Sequence, residues 1–292
     1  MPNQFTKMEP ILAGWSGDKK YCVTQKDGTK GFLRISPIER FESRKVLFDL
    51  GQQAAALGVP MCEPLAFGTC EEGVYSLHSW VDGEDLRPLL PEFSQARQYA
   101  LGAESGKVLR KIHSIPAPEG QTPWAAYMQQ KIDRKIQVYS ECGVRFAGDE
   151  NVLAYIAENR HLLRDCPQCF QHGDYHDGNM MLAAGKLVII DFDRHDFGDP
   201  WEEFNRIAFS AQSSAHFASG QLHGYFGGEP PEEFFRLLAL YLASNMLSSI
   251  TWAVQCETSD MAFMQELNRS TLLAYDNMQT CVPSWYVQQT II

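Results

Sequence analysis

The segment Gln171–Pro200, QHGDYHDGNMMLAAGKLVIIDFDRHDFGDP, constrains this chain more than any other stretch. Two acidic islands flank an apolar run. The first is His172-Gly173-Asp174 with Asn179 further along the loop, and the second is Asp191-Phe192-Asp193 after Lys186-Leu-Val-Ile-Ile190. Four consecutive apolar residues ending in Asp-x-Asp predict a short buried strand that carries carboxylates to a sheet edge. With the Ala183-Ala-Gly185 turn, the segment reads as loop, strand, turn, strand, loop. Such a piece sets a proton acceptor near oxygen donors suited to a hard cation, and Mg²⁺ takes one or two carboxylates plus phosphate oxygens.

A chain of 292 residues can bury a full core as one large domain or as two lobes. Its formal net charge of −11 argues against a nucleic-acid partner, which would need a basic face. The acidity suits a cytoplasmic enzyme and is compatible with a cationic substrate, although solubility alone accounts for it equally well. The first residues, Met1 to Lys7, hold no apolar core of the kind a secretory leader needs, so none is expected. Leu237 to Val254 carries no charge over a length close to a bilayer span. Its Ser244, Asn245, Ser248, Ser249 and Thr251 favour a buried helix, and no membrane partner is expected. Cys166 and Cys169 form a CxxC pair with no second pair to complete a tetrahedral site, so free thiols are expected.

Ahead of the core segment the chain reads as β-rich. Strands are expected at Ile11–Ala13 and Tyr21–Thr24, around the small polar loop Gly14-Trp-Ser16-Gly17-Asp-Lys-Lys20. Asp27-Gly28 then turns into a strand at Gly31–Ile35. A glycine-bearing hairpin of this kind can lay backbone N–H groups over phosphates. A helix over Ile38–Leu57 is expected to turn Phe41, Val46, Leu47, Leu50 and Ala54 inward, and Val74–Val81 reads as a further strand. From Ser94, a residue suited to cap a helix running to His113, the pattern turns helical. Further helices are expected at Trp124–Tyr139 and Glu150–Leu163.

The HGDxxxxN segment followed by IDFD resembles the catalytic core of the aminoglycoside phosphotransferase and choline kinase-like family, which shares the protein-kinase fold. The resemblance implies an α+β, bilobal protein-kinase-like fold, with a small β-rich N-terminal lobe over 1–81 and a larger, mainly helical lobe over 82–292. It implies Asp174 as catalytic base, Asn179 and Asp191 as Mg²⁺ ligands, and Asp193 as a further ligand or a brace of the loop. ATP would lie against the Ser16-Gly17 loop, with its adenine near the backbone of Ser79, Trp80 and Val81. Where the family carries a phosphate-gripping lysine this chain has Arg34, a departure that remains chemically tenable because guanidinium binds phosphate bidentately. Glu42 of the following helix would pair with it.

Only seven residues separate Asp191 from Asp199, too few for a peptide platform, so the expected partner is a small-molecule hydroxyl compound. An aminoglycoside, being a polycation, would want carboxylates such as Glu202 and Glu203, with Trp201 beside them. Choline would want an aromatic cage. Amino-alcohols, sugars and homoserine stay open. The rival from another class is an inactive nucleotide-binding scaffold, which would lack the base or a metal ligand; this chain keeps both.

Overall fold

The computed structural model describes residues 5–12, 17–164, 166–255 and 261–288. Ser16, and Ala13 of the first expected strand, lie outside the described residues. In chain order the strands are β1 (Phe5–Pro10), β2 (Lys19–Gln25) and β3 (Lys30–Ser36), followed by helix α1 (Phe41–Ala56). Next come β4 (Pro64–Cys70), β5 (Gly73–Ser79), β6 (Glu84–Asp85), the short α2 (Leu86–Leu89), α3 (Gln95–Ile112), α4 (Trp124–Glu141) and α5 (Asp149–Asn159). The motif segment supplies β7 (Cys169–Gln171), β8 (Met180–Ala183), β9 (Lys186–Ile189) and β10 (Asp196–Gly198). Helices α6 (Ile207–Ser213), α7 (Ala215–Phe226), α8 (Glu232–Gln255) and α9 (Met261–Ala274) follow.

The chain divides into two compact units. One comprises Met1–Leu86 with Asn179–His195, and the other Arg87–Gly178 with Asp196–Ile292. A division into contiguous lobes at 81/82 therefore differs from the structure in two ways. The first unit extends to Leu86, and it takes back a segment from the middle of the chain. Backbone pairing is the reason: β8 pairs with β9 and with β6, and the Ile189 N–H donates to the Pro60 carbonyl at 2.8 Å. Hydrogen-bonded ladders of this kind are indifferent to sequence distance once the loop closes.

The first unit is built on an antiparallel sheet in the order β1-β2-β3-β5-β4. The expected first strand lies earlier than its apolar run suggested, at Phe5–Pro10, where it pairs Met8 with Val23 and Pro10 with Tyr21. Val23, Leu33 and Ile35 form the core of one face, with Tyr75 and Leu77 packed against them. On α1, Leu50 and Ala54 are buried as expected, together with Phe48 and Gly51, whereas Val46 is 46% exposed. The inward stripe thus keeps its expected centre and shifts only from Val46 towards Phe48 and Gly51. Phe41 and Phe48 meet Phe67 of β4 at ring-centroid distances of 5.3 and 5.4 Å, which sets the helix's rotation.

The second unit is helical, and its closest crossing is between α3 and α7. Gly102 and Gly106 of α3 face Gly220 and Gly224 of α7, each pair one helical turn apart. A Cβ at Gly102 would stand 2.0 Å from the Phe217 carbonyl oxygen, and one at Gly220 2.3 Å from the Tyr99 carbonyl oxygen. Only the absence of side chains lets these backbones approach. Gly102→Ala is therefore expected to cost about 1–3 kcal/mol by overpacking, and more where the crossing cannot open. Urea denaturation measures it, and unchanged stability would show that the crossing is loose.

Ser94 caps α3 by accepting from the Arg97 N–H at 3.3 Å, and Ser214 caps α7 by accepting from the Phe217 N–H at 3.0 Å. Helix α8 is long and apolar enough to cross a membrane, but it is largely buried: Leu238, Ala239, Leu240, Ala243, Leu247 and Ile250 have no exposed surface. It serves as the hydrophobic axis on which α4, α5 and α9 pack.

Candidate active site

In the second unit, strand β7 leads into the loop that carries Asp174. Its partner is β10, which pairs Gln171 with Asp196 and Cys169 with Gly198. Beyond the strand, buried contacts fix the loop. The Gly173 N–H donates to both carboxylate oxygens of Glu203, at 2.9 and 3.2 Å, and the His113 Nε2 lies 3.7 Å from that carboxylate. Burial alone would push the Glu203 carboxyl up, but His113, His172 and the Gly173 N–H together hold it below its ordinary value. The Tyr175 hydroxyl donates to the Ser105 carbonyl at 2.8 Å, pinning the residue after Asp174 to α3. Asp174 itself is met by Arg206, whose Nε lies 3.3 Å from Oδ1, and by His176, whose Nε2 lies 3.6 Å from the same oxygen.

Asp199 is more than a helix cap. Its Oδ1 accepts from the Trp201 N–H at 2.9 Å, and its Oδ2 accepts from the Tyr241 hydroxyl at 2.8 Å; that hydroxyl in turn accepts from the Trp124 indole N–H at 2.9 Å. Burial raises the Asp199 carboxyl against these donors. Gln171 ties its own strand to this corner by donating to the Asp199 carbonyl at 2.7 Å.

In the first unit the β8–β9 hairpin carries the oxygen donors. The Ile190 N–H donates to the Asn179 carbonyl at 3.0 Å, so Asn179 and Asp191 sit at adjoining ends of one hairpin. Asp191 has φ of +64°, a left-handed conformation uncommon for a residue with a side chain. Backbone strain of this sort concentrates at functional sites. An amide and a carboxylate carried at the ends of one hairpin are oxygen donors of the kind Mg²⁺ takes. Asp174 belongs to the second unit, and the boundary is the Gly178–Asn179 peptide bond.

Asp193 has a different engagement. Its carboxylate forms ion pairs with Arg34 and with Arg44, the latter at 2.9 Å. Arg44 also pairs with Asp18, which lies 3.8 Å from the Arg34 Nε. Burial favours the protonated acid, yet the two guanidiniums hold the Asp193 carboxyl below its ordinary value. A carboxylate shared by two guanidiniums is engaged as a brace, the second of the two roles open to it. The ion pair expected between Arg34 and Glu42 is corrected in the same way. Glu42 is exposed, and the partners of Arg34 are Asp18 and Asp193. A buried Arg34 Nε without a hydrogen-bond partner stays available to an anion. Sequence reading missed Arg44 and Asp18, because an arginine on a helix and an aspartate in a polar loop both look solvated. The spacing of Arg40 and Arg44, one turn apart, was the only available signal.

Of the other nucleotide-site residues, Gly17 is exposed and lines a surface hollow with Lys19, Ser36, Pro37 and Glu72. Ser79 is already engaged, its N–H donating to the Glu63 carbonyl at 2.9 Å and its hydroxyl accepting from the Glu63 N–H at 2.8 Å. Trp80 and Val81 follow it, half-buried. Burial, with Arg34 adding to it, pushes the neighbouring His78 down to about 4.

Of the three residues expected to face the substrate, the two glutamates are turned inward, and Trp201, half-buried, lines a surface hollow with Arg164 and Pro200. Glu203 is buried under the Asp174 loop, and Glu202 is buried with the Lys131 ammonium at 3.7 Å. Trp201 is edge-on to Phe226 and Phe234 and carries the Arg164 guanidinium 4.6 Å above its ring. Periodicity could not reveal this, because acidic residues at the start of a helical stretch look the same whether they face solvent or a buried histidine.

Both His78 and His176 are pushed down to about 4, chiefly by burial. Each stays neutral in the native state over a range in which the unfolded side chain, with an ordinary pKa near ~6.5, takes up a proton. Stability is therefore expected to rise with pH between about 4 and about 6.5. Urea midpoints across that range measure it; a flat profile would contradict the burial of both rings.

A five-stranded antiparallel sheet with one long helix, a helical second unit, and a braced Asp-bearing loop followed by a hairpin with Asn179 and Asp191 together define a bilobal protein-kinase-like phosphotransferase. Comparison with known proteins agrees: residues 7–235 match the phosphotransferase enzyme family, and the chain belongs to it. A glucosamine kinase from Streptacidiphilus jiangxiensis is 25% identical over 120 residues, covering 38% of this chain and 27% of that protein, so the chain spans about a quarter of that relative's length. Among solved structures, a thermostable mutant of the aminoglycoside phosphotransferase APH(4)-Ia with ADP and hygromycin B superposes with a TM-score of 0.65 at 19% identity, covering 91% of this chain and 92% of the other. The amicoumacin kinase hAmiN with AMP-PNP and Ca²⁺ gives 0.65 at 15% identity, covering 97% and 91%. APH(2")-IIa with streptomycin and ATP gives 0.62 at 16% identity, covering 91% and 93%.

Proposed function

We propose that this protein transfers the γ-phosphoryl group of ATP to a hydroxyl of an aminoglycoside or simpler amino sugar in the cytoplasm. The observation that carries the kinase reading is the bracing of the Asp174 loop, in which Glu203 holds Gly173, Ser105 holds Tyr175, and Arg206 meets the carboxylate. That rigidity suits a group whose task is to hold an acceptor hydroxyl in line and receive its proton. Asn179 and Asp191 would hold Mg²⁺, which when bound offsets charge on the β- and γ-phosphate oxygens. Arg34 would steady the phosphate end of the nucleotide, a role supported by its spare Nε and by the hold of Asp18 and Asp193 on its guanidinium.

The acceptor class rests on likeness to structures that hold hygromycin B or streptomycin and on the glucosamine kinase match. The choline reading gains no support. Tyr225 is buried with its hydroxyl 2.9 Å from His113 Nδ1, and Tyr286 bonds Glu229, so these aromatics are engaged elsewhere. Coupled measurement of ADP formation with hygromycin B, streptomycin, glucosamine and choline tests the assignment, with mass spectra of the products. Phosphorylation of choline alone would overturn the acceptor class, and no phosphorylated product from a wide panel of alcohols would overturn the kinase reading.

A further inference from the structure

We propose that His176 is a positioning residue that orients Asp174, and that Arg87 fixes the ring tautomer in which it does so. The proposal rests on the reading of Asp174 as the group that receives the acceptor hydroxyl. Two donors converge on His176 Nδ1: the Arg87 guanidinium at 3.0 Å and the Gly178 N–H at 3.0 Å. Neither an arginine nor a backbone amide can accept, so Nδ1 is the bare nitrogen. The ring's single proton therefore lies on Nε2, the atom 3.6 Å from Asp174 Oδ1. His176 thus presents an N–H, not a lone pair, to the carboxylate.

The surroundings hold this arrangement in place. Asp177, fully buried, clamps Arg87 in a bidentate pair at 2.8 and 3.0 Å, and Ser210 Oγ accepts from the Asp177 N–H at 3.1 Å. Phe209 stacks on the imidazole at a centroid distance of 5.3 Å. Gly178 leaves the space through which Arg87 and His176 meet, since a Cβ there would stand 2.8 Å from the Arg87 Cζ and 2.8 Å from the His176 Cε1. Burial, with Arg87 among the opposing charges, keeps the ring neutral down to about pH 4, so the tautomer persists at physiological pH. Arg87 opens the second unit, immediately after the boundary at Leu86. The first side chain of that unit is therefore bonded to the loop that carries Asp174. None of this network follows from the HGDxxxxN spacing, because Arg87 lies far upstream and Asp177 falls at a position that spacing leaves unspecified.

Two readouts test the proposal on the full chain. Long-range ¹H–¹⁵N correlation of the histidine rings near pH 7, with His176 assigned by its loss in H176N, is expected to show the proton on Nε2. A ring protonated on Nδ1, or an even mixture of tautomers, overturns the proposal. The kinetic arm follows ADP formation from MgATP with water as acceptor. A glutamine amide reaches the Nε2 position, whereas an asparagine amide reaches only that of Nδ1. H176N is expected to lower kcat by about 10²-fold with KM for MgATP unchanged, the size of effect a misplaced reacting group produces. H176Q is expected to return within about tenfold of the wild type. Equal losses in both variants would mean a structural role and overturn the proposal. In the Asp174→Asn background, H176N is expected to add no further loss, and a second loss of similar size also overturns it. Wild-type turnover by Asp174→Asn alone would instead remove the assignment of Asp174, and with it the role of His176.

Discussion

Replacing Asp174 by asparagine is expected to lower phosphoryl transfer by about 10²–10⁴-fold, the range for loss of a positioned general base. The substitution keeps size and shape, and the Glu203–Gly173 and Tyr175–Ser105 bonds that brace the loop do not involve the lost charge. Nucleotide binding is therefore expected to stay within a few-fold of the wild type, so the loss should appear in kcat. Steady-state kinetics together with a direct nucleotide titration separate the two. Equal weakening of nucleotide binding would show that Asp174 serves the fold. Because phosphoryl transfer asks mainly for alignment and charge stabilisation, the lower half of the range is the better expectation for a reactive acceptor.

The second large effect is on stability. Asp193→Asn removes the carboxylate that Arg34 and Arg44 share, and these side chains are only 11% and 12% exposed. Leaving two guanidiniums with Asp18 as their one remaining carboxylate partner among the described contacts is expected to cost about 3 kcal/mol, the lower end for breaking a buried ion pair. The Mg²⁺ dependence of nucleotide binding should not change. A variant that kept its denaturation midpoint but needed more Mg²⁺ would return Asp193 to the metal site. The pH dependence has a definite sign. The native carboxyl titrates below its unfolded value near ~3.9, so its contribution is fully present above that value and is lost as pH falls through the lower native one.

The Arg34 network shows how residue chemistry and tertiary context divide the work. Sequence alone placed a cation on β3 at the position where the resembling enzymes carry a lysine. It also expected the counter-ion from the following helix, because a glutamate stands there. Instead the helix contributes a second cation, Arg44, and the carboxylates come from the polar loop at Asp18 and from Asp193. A helix exposes each side chain at an angle fixed by its rotation, and the packing of Phe41 and Phe48 on Phe67 set that rotation. One-dimensional periodicity does not say which of two charged residues on opposite sides of a helix meets a partner from elsewhere in the chain, and here it is Arg44, while Glu42 stays exposed.

What the amino-acid order determined by itself is the content of the 171–200 segment: an acid on a loop, an amide after it, a buried strand, and a second acid at its end. Those features depend on local spacing and backbone geometry, which adjoining residues impose on one another. The membership of a β-rich first part and a helical second part was also legible, from the change in hydrophobic period. Only the folded chain decided that 179–195 joins the first unit, since strand pairing with β6 and with Pro60 is long-range. It alone decided that Glu202 and Glu203 are interior and that Trp201 packs edge-on against Phe226 and Phe234. Whether a charged or aromatic side chain meets water or a buried partner is set by what lies opposite it, and the opposite residue is rarely near in sequence.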